Sequence, residues 1–345
     1  MKKILLVLTG GTIGSTVTDG AIGTNPNSRY QLLAMLQAQY PWHGEFAFNV
    51  IQPVEILSEN LQPAVWETVV AAIITAQPQQ YQGIIITHGT DTLAFSASAL
   101  SFCLQSLNLP ILLVSSDYPL ADDRANGLAN FICALEFIRQ IQQAGVFVPY
   151  RNQGQTMQVH LATRLASCLQ LSGDFISVQH KSYMQFTDGK FSLLNPFSLM
   201  EKSPLTAISP HFSLRVMLVK PYPGLNYQHI AINQVDAVLH DLYHSGTAAV
   251  SSQWGSDYSL LDFAQRCQQQ GVALYLAPSV KSTAVYDTTK ALIDHGAIML
   301  WDMSLEAAYT KLLLAYGNFN DTASVMAFMA TDIAGEIIES PVQAN

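Results

Sequence analysis

LTGGTIGS, residues 8–15, follows directly on the apolar run Ile4–Leu8 and ends it in a turn of glycine and threonine. An uninterrupted apolar run suits a strand buried on both faces, and glycine supplies the backbone freedom to stop it abruptly. The same arrangement returns at ITHGTDT, residues 86–92, behind Ile84–Ile86. Two apolar strands that each close in Gly and Thr are expected where a parallel sheet presents hydroxyls and backbone N–H groups from its carboxyl edge.

Outward from these turns, the spacing predicts an irregular mobile loop over Ser15–Arg29, a helix over Tyr30–Gln39 and a strand over Phe46–Val54. Pro63 heads an amphipathic helix with Val65, Val69, Ala72 and Ile73 on one face. Thr92–Leu107 is expected to be helical, Ile111–Ser115 a buried strand and Gly127–Gln143 a long helix, with a marginal hairpin from Val146 to the neighbourhood of Val159. Strand and helix alternate throughout, so the expected class is α/β: a larger doubly wound, mostly parallel sheet domain over residues 1–190. From about Asp188 to Pro210 the periodicity gives way to Pro, Ser and Asn, which reads as a linker over 191–212. A smaller C-terminal α/β domain, 213–345, then follows. Its expected strands are Arg215–Val219, Ala237–His240, Ala248–Ser251 and Ala273–Leu276, with helices centred near 263, 290, 310 and 326.

The 345-residue chain is 49% hydrophobic and 12% charged, ample for two cores. A net charge of −9 with 16 Lys plus Arg excludes nucleic acid and anionic membrane as expected partners, because both need clustered cations. The four cysteines show no CxxC spacing, which argues against a zinc knuckle or a disulfide framework and for reduced thiols in a cytoplasmic protein. No apolar run reaches the roughly 18 residues of a membrane span. The start, MetLysLys before a short apolar run, reads as the first strand rather than a secretory leader.

The glycines at 10, 11 and 14 give GGxxG rather than the dinucleotide GxGxxG, and no GK[ST] completes a phosphate loop. Thr is often a plain turn or cap residue. Paired threonine turns, one with Asp directly after its Thr, point instead to acyl transfer on a small amide or ester. Thr12 is the candidate nucleophile, the Gly-rich backbone beside it can point N–H groups at a developing oxyanion, Gly11 and Gly89 are candidate substrate-binding positions, and Thr90 and Asp91 supply a hydroxyl and a carboxylate opposite.

Both motifs resemble those of the bacterial L-asparaginase family of asparaginases and glutaminase-asparaginases. TGGTIG (Thr9–Gly14), SENLQP (Ser58–Pro63), THGTDT (Thr87–Thr92) and the R-x-N-G-x-x-N pattern of Arg124, Asn126, Gly127 and Asn130 occur in that family's order. DMSLEAAYTKLLL (Asp302–Leu314) is similar to a signature of its cytosolic, type I branch. The resemblance covers nearly the whole chain. It implies a homodimer or homotetramer acting on a small amino acid, with no metal or organic cofactor. Thr12 would attack the side-chain amide to give an acyl-enzyme, Thr90 would be the second hydroxyl, and Ser58, Glu59 and Asp91 would hold the substrate's α-carboxylate and α-ammonium. Glu59 resembles the residue of the glutaminase-asparaginases.

Two family residues are missing. The loop tyrosine position falls near Ala21, with Tyr30 the nearest aromatic, and the lysine position in VHLATRLASC falls at Ala166 or Ser167, with Arg164 the local cation. Arg stabilises charge but does not give up a proton at usable pH. DLYHSGT (Asp241–Thr247) brings Asp241, His244 and Ser245 into one turn, which rarely forms a triad, and His244 or Thr247 reaching a neighbouring subunit is the alternative reading. The function expected is thus an L-asparaginase-like amidohydrolase. The rival expectations are a catalytically impaired aspartate or asparagine binder of the same fold and an amidase on a related amide.

Overall fold

Alternate residues of strand β1 (Lys2–Val7) go to opposite layers: Ile4 and Leu6 join one core, Leu5 and Val7 the other. This period of two, with both faces apolar, is what makes the run a central strand. The computed structural model describes residues 1–18, 21–24, 28–197 and 208–338, with side chains at all of these except 14–18, 21–24 and 28–30. The chain divides into two units, Met1–Pro210 with Ile333–Gly335, and His211–Asp332 with Glu336–Asn345.

In the first unit β1 is followed by β2 (Ser15–Thr18), β3 (Ala21–Thr24), α1 (Ser28–Gln39), β4 (Phe46–Ile51), α2 (Pro63–Thr75), β5 (Gly83–Thr87) and α3 (Leu93–Leu104). Next come β6 (Pro110–Val114), α4 (Gly127–Gln140), β7 (Gly145–Tyr150), β8 (Met157–Leu161), β9 (Met184–Thr187) and β10 (Lys190–Leu193). They build an eight-stranded sheet in the order β10-β9-β8-β7-β6-β5-β1-β4. The five strands from β4 to β7 run parallel and the last three join antiparallel. Leu32 and Leu36 of α1 and Phe131 of α4 pack on one face. Val69 and Ile73 of α2 and Leu100 of α3 pack on the other, so the sheet is doubly wound. From β1 the chain passes to β4 on one side and then back across to β5 on the other. The order therefore reverses between β1 and β5, and a crevice at their carboxyl ends is where such sheets bind ligands.

Two expectations are corrected here. Ser15–Arg29 is not irregular throughout, since β2 and β3 form an antiparallel ladder from Ser15↔Thr24 to Thr18↔Ala21 and α1 begins at Ser28. The residues between these elements, and the side chains of Ala21, Arg29 and Tyr30, lie outside the description. The periodicity also does not stop at Asp188. Asp188 and Gly189 have φ of 51° and 75°, the left-handed pair a two-residue hairpin demands, and they join β9 to β10. Of the expected linker, residues 198–207 lie outside the described residues.

The second unit contains β11 (Val216–Val219), β12 (Ala237–Asp241), α5 (Leu260–Gln269), β13 (Ala273–Ser279), α6 (Asp287–Asp294), β14 (Ile298–Trp301), α7 (Leu305–Asn318) and α8 (Thr322–Ala330). Its sheet is parallel in the order β11-β12-β13-β14. Ala248–Ser251 is not a strand. Its carbonyls serve the start of α5 instead, Ala249 O accepting from Leu260 N at 2.8 Å and Val250 O from the Ser259 hydroxyl at 3.0 Å. Four free cysteines are present, Cys133 and Cys267 buried and Cys103 and Cys168 half-buried. Among the described residues no helix is long and apolar enough to cross a membrane.

Lys311, in α7, is fully buried, as is its partner Glu336. Lys311 Nζ donates to Glu336 Oε1 at 2.5 Å, to Thr331 O at 2.5 Å and to Met329 O at 3.2 Å. Asp332 stands beside the pair, and burial together with the Glu336 carboxylate pushes its carboxyl up to about 7. A carboxyl raised above its usual 3.8 binds its proton more tightly in the folded chain. That contribution to stability is complete below the unfolded value and is lost as pH rises through the folded one. Stability of the wild type should therefore fall as pH rises from about 4 to about 7, and Asp332→Asn should flatten this slope. Urea midpoints at pH 5 and pH 8 for both proteins measure it. An unchanged slope in the variant would assign the pH dependence to other groups.

Candidate active site

The two glycine-threonine turns meet at the reversal point of the sheet. Gly10 and Gly11 adopt φ of 101° and 79°, a succession open to glycine alone without strain. Gly10 bridges to Ile56, and Gly11 N donates to Ile56 O at 3.1 Å, so the Gly11 N–H is engaged within the fold and is not a free donor for substrate. A Cβ on Gly11 would stand 2.3 Å from Gly89 N, and one on Gly89 would stand 2.3 Å from Ser58 Oγ. Gly11 and Gly89 thus approach backbone to backbone, and the Ser58 side chain packs directly against Gly89. Thr12 and Thr90 each follow the glycine of contact and are half-buried. Among the described residues neither hydroxyl has a hydrogen-bond partner.

Ser58 is buried in the 3-10 turn Ser58–Asn60 that leads to Pro63 at the start of α2. Its hydroxyl donates to Asp91 Oδ2 at 2.8 Å, and its carbonyl accepts from the Thr92 hydroxyl at 3.0 Å. Glu59 and Asp91 are exposed at the rim. Ser58, Gly11, Gly89, Thr12, Thr90 and Asp91 therefore lie in one neighbourhood.

His88 was not singled out from the sequence, yet it shapes this neighbourhood. Its Nδ1 lies 2.8 Å from Gly89 O, and a carbonyl only accepts, so Nδ1 carries the proton. Burial lowers its pKa and keeps the ring neutral, against smaller opposing effects of Gly89 O and Asp91. With the Gly89 carbonyl turned to His88, the trans peptide turns the Thr90 N–H to the opposite side. A second residue missed was Cys168. Its thiol donates to Ser172 O at 2.9 Å and is held protonated chiefly by burial, with Asp174 and Asp91 adding to the effect. It is no thiolate nucleophile.

Arg164 lies in the 3-10 turn Ala162–Arg164, and its Nε donates to Gly335 O at 2.7 Å, so the guanidinium secures the 333–335 segment. In the second unit the turn after β12 forms no triad. His244 is exposed, and the Ser245 hydroxyl shares a 2.9 Å hydrogen bond with the Thr247 hydroxyl. That unit also holds an open cleft of about 700 Å³ lined by Tyr222, Tyr227, Tyr243, Trp254 and Tyr258. No charged side chain lines it and no nucleophile is paired with a base there, so its size alone does not make it a reaction site. Among the described residues no group of His, Cys, Asp and Glu is arranged to hold a metal ion.

Comparison with known proteins places the fold among asparaginases. A family model described as the asparaginase N-terminal domain matches residues 3–195. The chain is 27% identical over 351 residues to a glutamyl-tRNA(Gln) amidotransferase subunit of Saccharolobus solfataricus, spanning 97% of this chain and 76% of that protein. It is 28% identical to the corresponding amidotransferase subunit of Aeropyrum pernix, spanning 98% and 80%. Among solved structures, the thermostable L-asparaginase of Thermococcus kodakarensis superposes with a TM-score of 0.80 at 25% identity, covering 98% of this chain and 100% of that one. L-asparaginase I of Vibrio cholerae superposes with a TM-score of 0.77 at 26% identity, covering 98% and 99%.

Proposed function

The chain belongs to the asparaginase family, and from that membership we propose that it hydrolyses the side-chain amide of L-asparagine, releasing L-aspartate and ammonia, with Thr12 as nucleophile. The observation that supports this reading is the close approach of Gly11 to Gly89 and of Gly89 to the Ser58 side chain, which brings the segments that carry Thr12 and Thr90 side by side. In the first half-reaction Thr12 Oγ bonds to the amide carbon and loses its proton. Backbone N–H groups of the glycine turns stabilise the oxyanion, and nitrogen leaves as ammonia with the proton added. Water then attacks the ester, and Thr12 recovers its hydrogen. Asp91, fixed by the Ser58 hydroxyl, holds the α-ammonium, Glu59 supplies a second negative charge, and backbone N–H donors face the α-carboxylate. Neither a lysine at 166 or 167 nor a tyrosine at 21 is present. The proton path then runs through Thr90, Asp91 and water, and turnover is slower than with a dedicated base, by roughly a hundredfold. A homo-oligomer is part of this reading.

A second reading draws on the relatives named as amidotransferase subunits. Here the same chemistry releases ammonia for a partner protein, and the isolated chain turns over weakly. The low content of cations argues that RNA would then be held by the partner. Ammonia release by the purified chain with L-asparagine, L-glutamine and D-asparagine is expected to be fastest for L-asparagine. Release from none of the three would discard the first reading, and release from D-asparagine alone would replace its substrate.

A further inference from the structure

The words TGGT and THGT place a threonine three residues before each candidate catalytic threonine: Thr9 before Thr12, and Thr87 before Thr90. The resemblance gives these earlier threonines no role, but the structure joins them. Thr9 Oγ1 donates to Thr87 O at 2.6 Å, and Thr9 N lies 3.4 Å from Thr87 Oγ1, which accepts. The β1–β5 ladder has its last paired position at Val7↔Ile86. Beyond it the strands are tied by these side chains. On the other flank Thr9 O accepts from Ile56 N at 3.0 Å, so Thr9 is fastened on both sides immediately before the two left-handed glycines. Thr87 is likewise the last residue of β5, and His88 N donates to Val114 O at 2.9 Å on its far side.

Both threonines are sealed, Thr9 at 4% and Thr87 at 3% exposure. The void beside Thr9, lined also by His88 and Trp66, measures about 10 Å³, at the lower limit for one water molecule. The space beside Thr9 admits at most one water, and a residue of the same shape without the hydroxyl leaves the Thr87 carbonyl without that donor. The bond lies where a hydrogen bond is most costly to lose.

We infer that Thr9 and Thr87 form a clasp that fixes the spacing between the Thr12 and Thr90 turns, making Thr9 a positioning residue for the reaction. The inference rests on the reading of those turns as the reacting pair. Misplacing reacting groups by about 1 Å costs up to roughly a hundredfold in rate. Thr9→Val keeps the shape of Thr9 and deletes its donor. It should lower kcat by roughly thirtyfold with KM changed less than about threefold, because the substrate-binding charges on Glu59 and Asp91 are retained. Thr9→Ser keeps the hydroxyl and should restore most of the rate. Thr87→Val loses only the longer contact and should fall between them.

Hydrogen exchange is read on the same samples. Thr9→Val should weaken protection of the Gly11 and His88 amides about tenfold, with Thr9→Ser unchanged and the amides of β12 and β13 unaffected. This readout tests the clasp even if no amide is turned over, an outcome that would count against the functional reading alone. Unchanged kcat and exchange in Thr9→Val, or a Thr9→Ser variant as impaired as Thr9→Val, overturns the inference. So does a lower Tm in Thr9→Val with full kcat, which would make the bond merely structural.

Discussion

Thr12→Ala is expected to lower turnover of L-asparagine by at least about a thousandfold while the protein still binds L-aspartate. Removing the attacking atom of a covalent mechanism forfeits the whole nucleophilic route, and what catalysis remains comes from the oxyanion donors and binding alone. The fold has no reason to fail. Thr12 is half-buried in a 3-10 turn, its hydroxyl bonds to nothing among the described residues, and its backbone is set by Gly10 and Gly11. Substrate charges are met by Ser58, Glu59 and Asp91, which the substitution leaves in place. Aspartate at a hundred times its Kd should therefore stabilise the variant by about 2.7 kcal/mol, as it does the wild type. The measurements are single-turnover ammonia release and thermal unfolding with and without aspartate. A variant that retains more than a tenth of wild-type turnover would remove Thr12 from the mechanism.

Lys311→Met should destabilise the chain by roughly 3–5 kcal/mol, the largest stability effect expected of a single substitution here. The ammonium answers a carboxylate and two carbonyls with neither Lys311 nor Glu336 reaching solvent. Removing it leaves Glu336 buried beside Asp332 with no cation between them. Protonating both carboxyls in compensation becomes harder as pH rises, so the loss should be greater at pH 8 than at pH 5. The double variant Lys311→Met with Glu336→Leu should recover much of the loss, because the cost lies in the unpaired charge rather than in the missing pair. Chemical denaturation of the three proteins decides this. Equal stability of the single and double variants would show that packing, not charge, is what Lys311 contributes.

The central sheet was legible because its strands β1, β5 and β6 are apolar on both faces, β1 and β5 running into turn glycines and β6 opening on Pro110, so one short run carries its own location. The candidate site was legible for the related reason that only glycine satisfies the backbone of Gly10 and Gly11 or the approach of Gly89 to Ser58. The pairings of β2 with β3 and of β9 with β10 escaped notice although the sequence carries Asp-Gly at 19–20 and at 188–189. Loss of helical period was read as loss of structure. β14 escaped because four residues, IMLW, give too little alternation to separate a strand from a helix start. Ala248–Ser251 misled in the opposite direction, its small and branched residues serving a helix N-terminus rather than a ladder. The pairings of Thr9 with Thr87, Ser58 with Asp91 and Lys311 with Glu336 join residues 78, 33 and 25 positions apart. No local pattern announces such partners, since they are created by the folding of the sheet.

The assignment of Ile333–Gly335 to the first unit bears on how the molecule is made. Ala334 O accepts from the Thr163 hydroxyl at 3.0 Å and Gly335 O from Arg164. A ribosome that has finished Pro210 must therefore still translate more than a hundred residues before Thr163 and Arg164 can find those acceptors. At about 5–20 residues per second the wait is roughly 6 to 25 s, ample time for a chaperone to take hold of an incomplete domain.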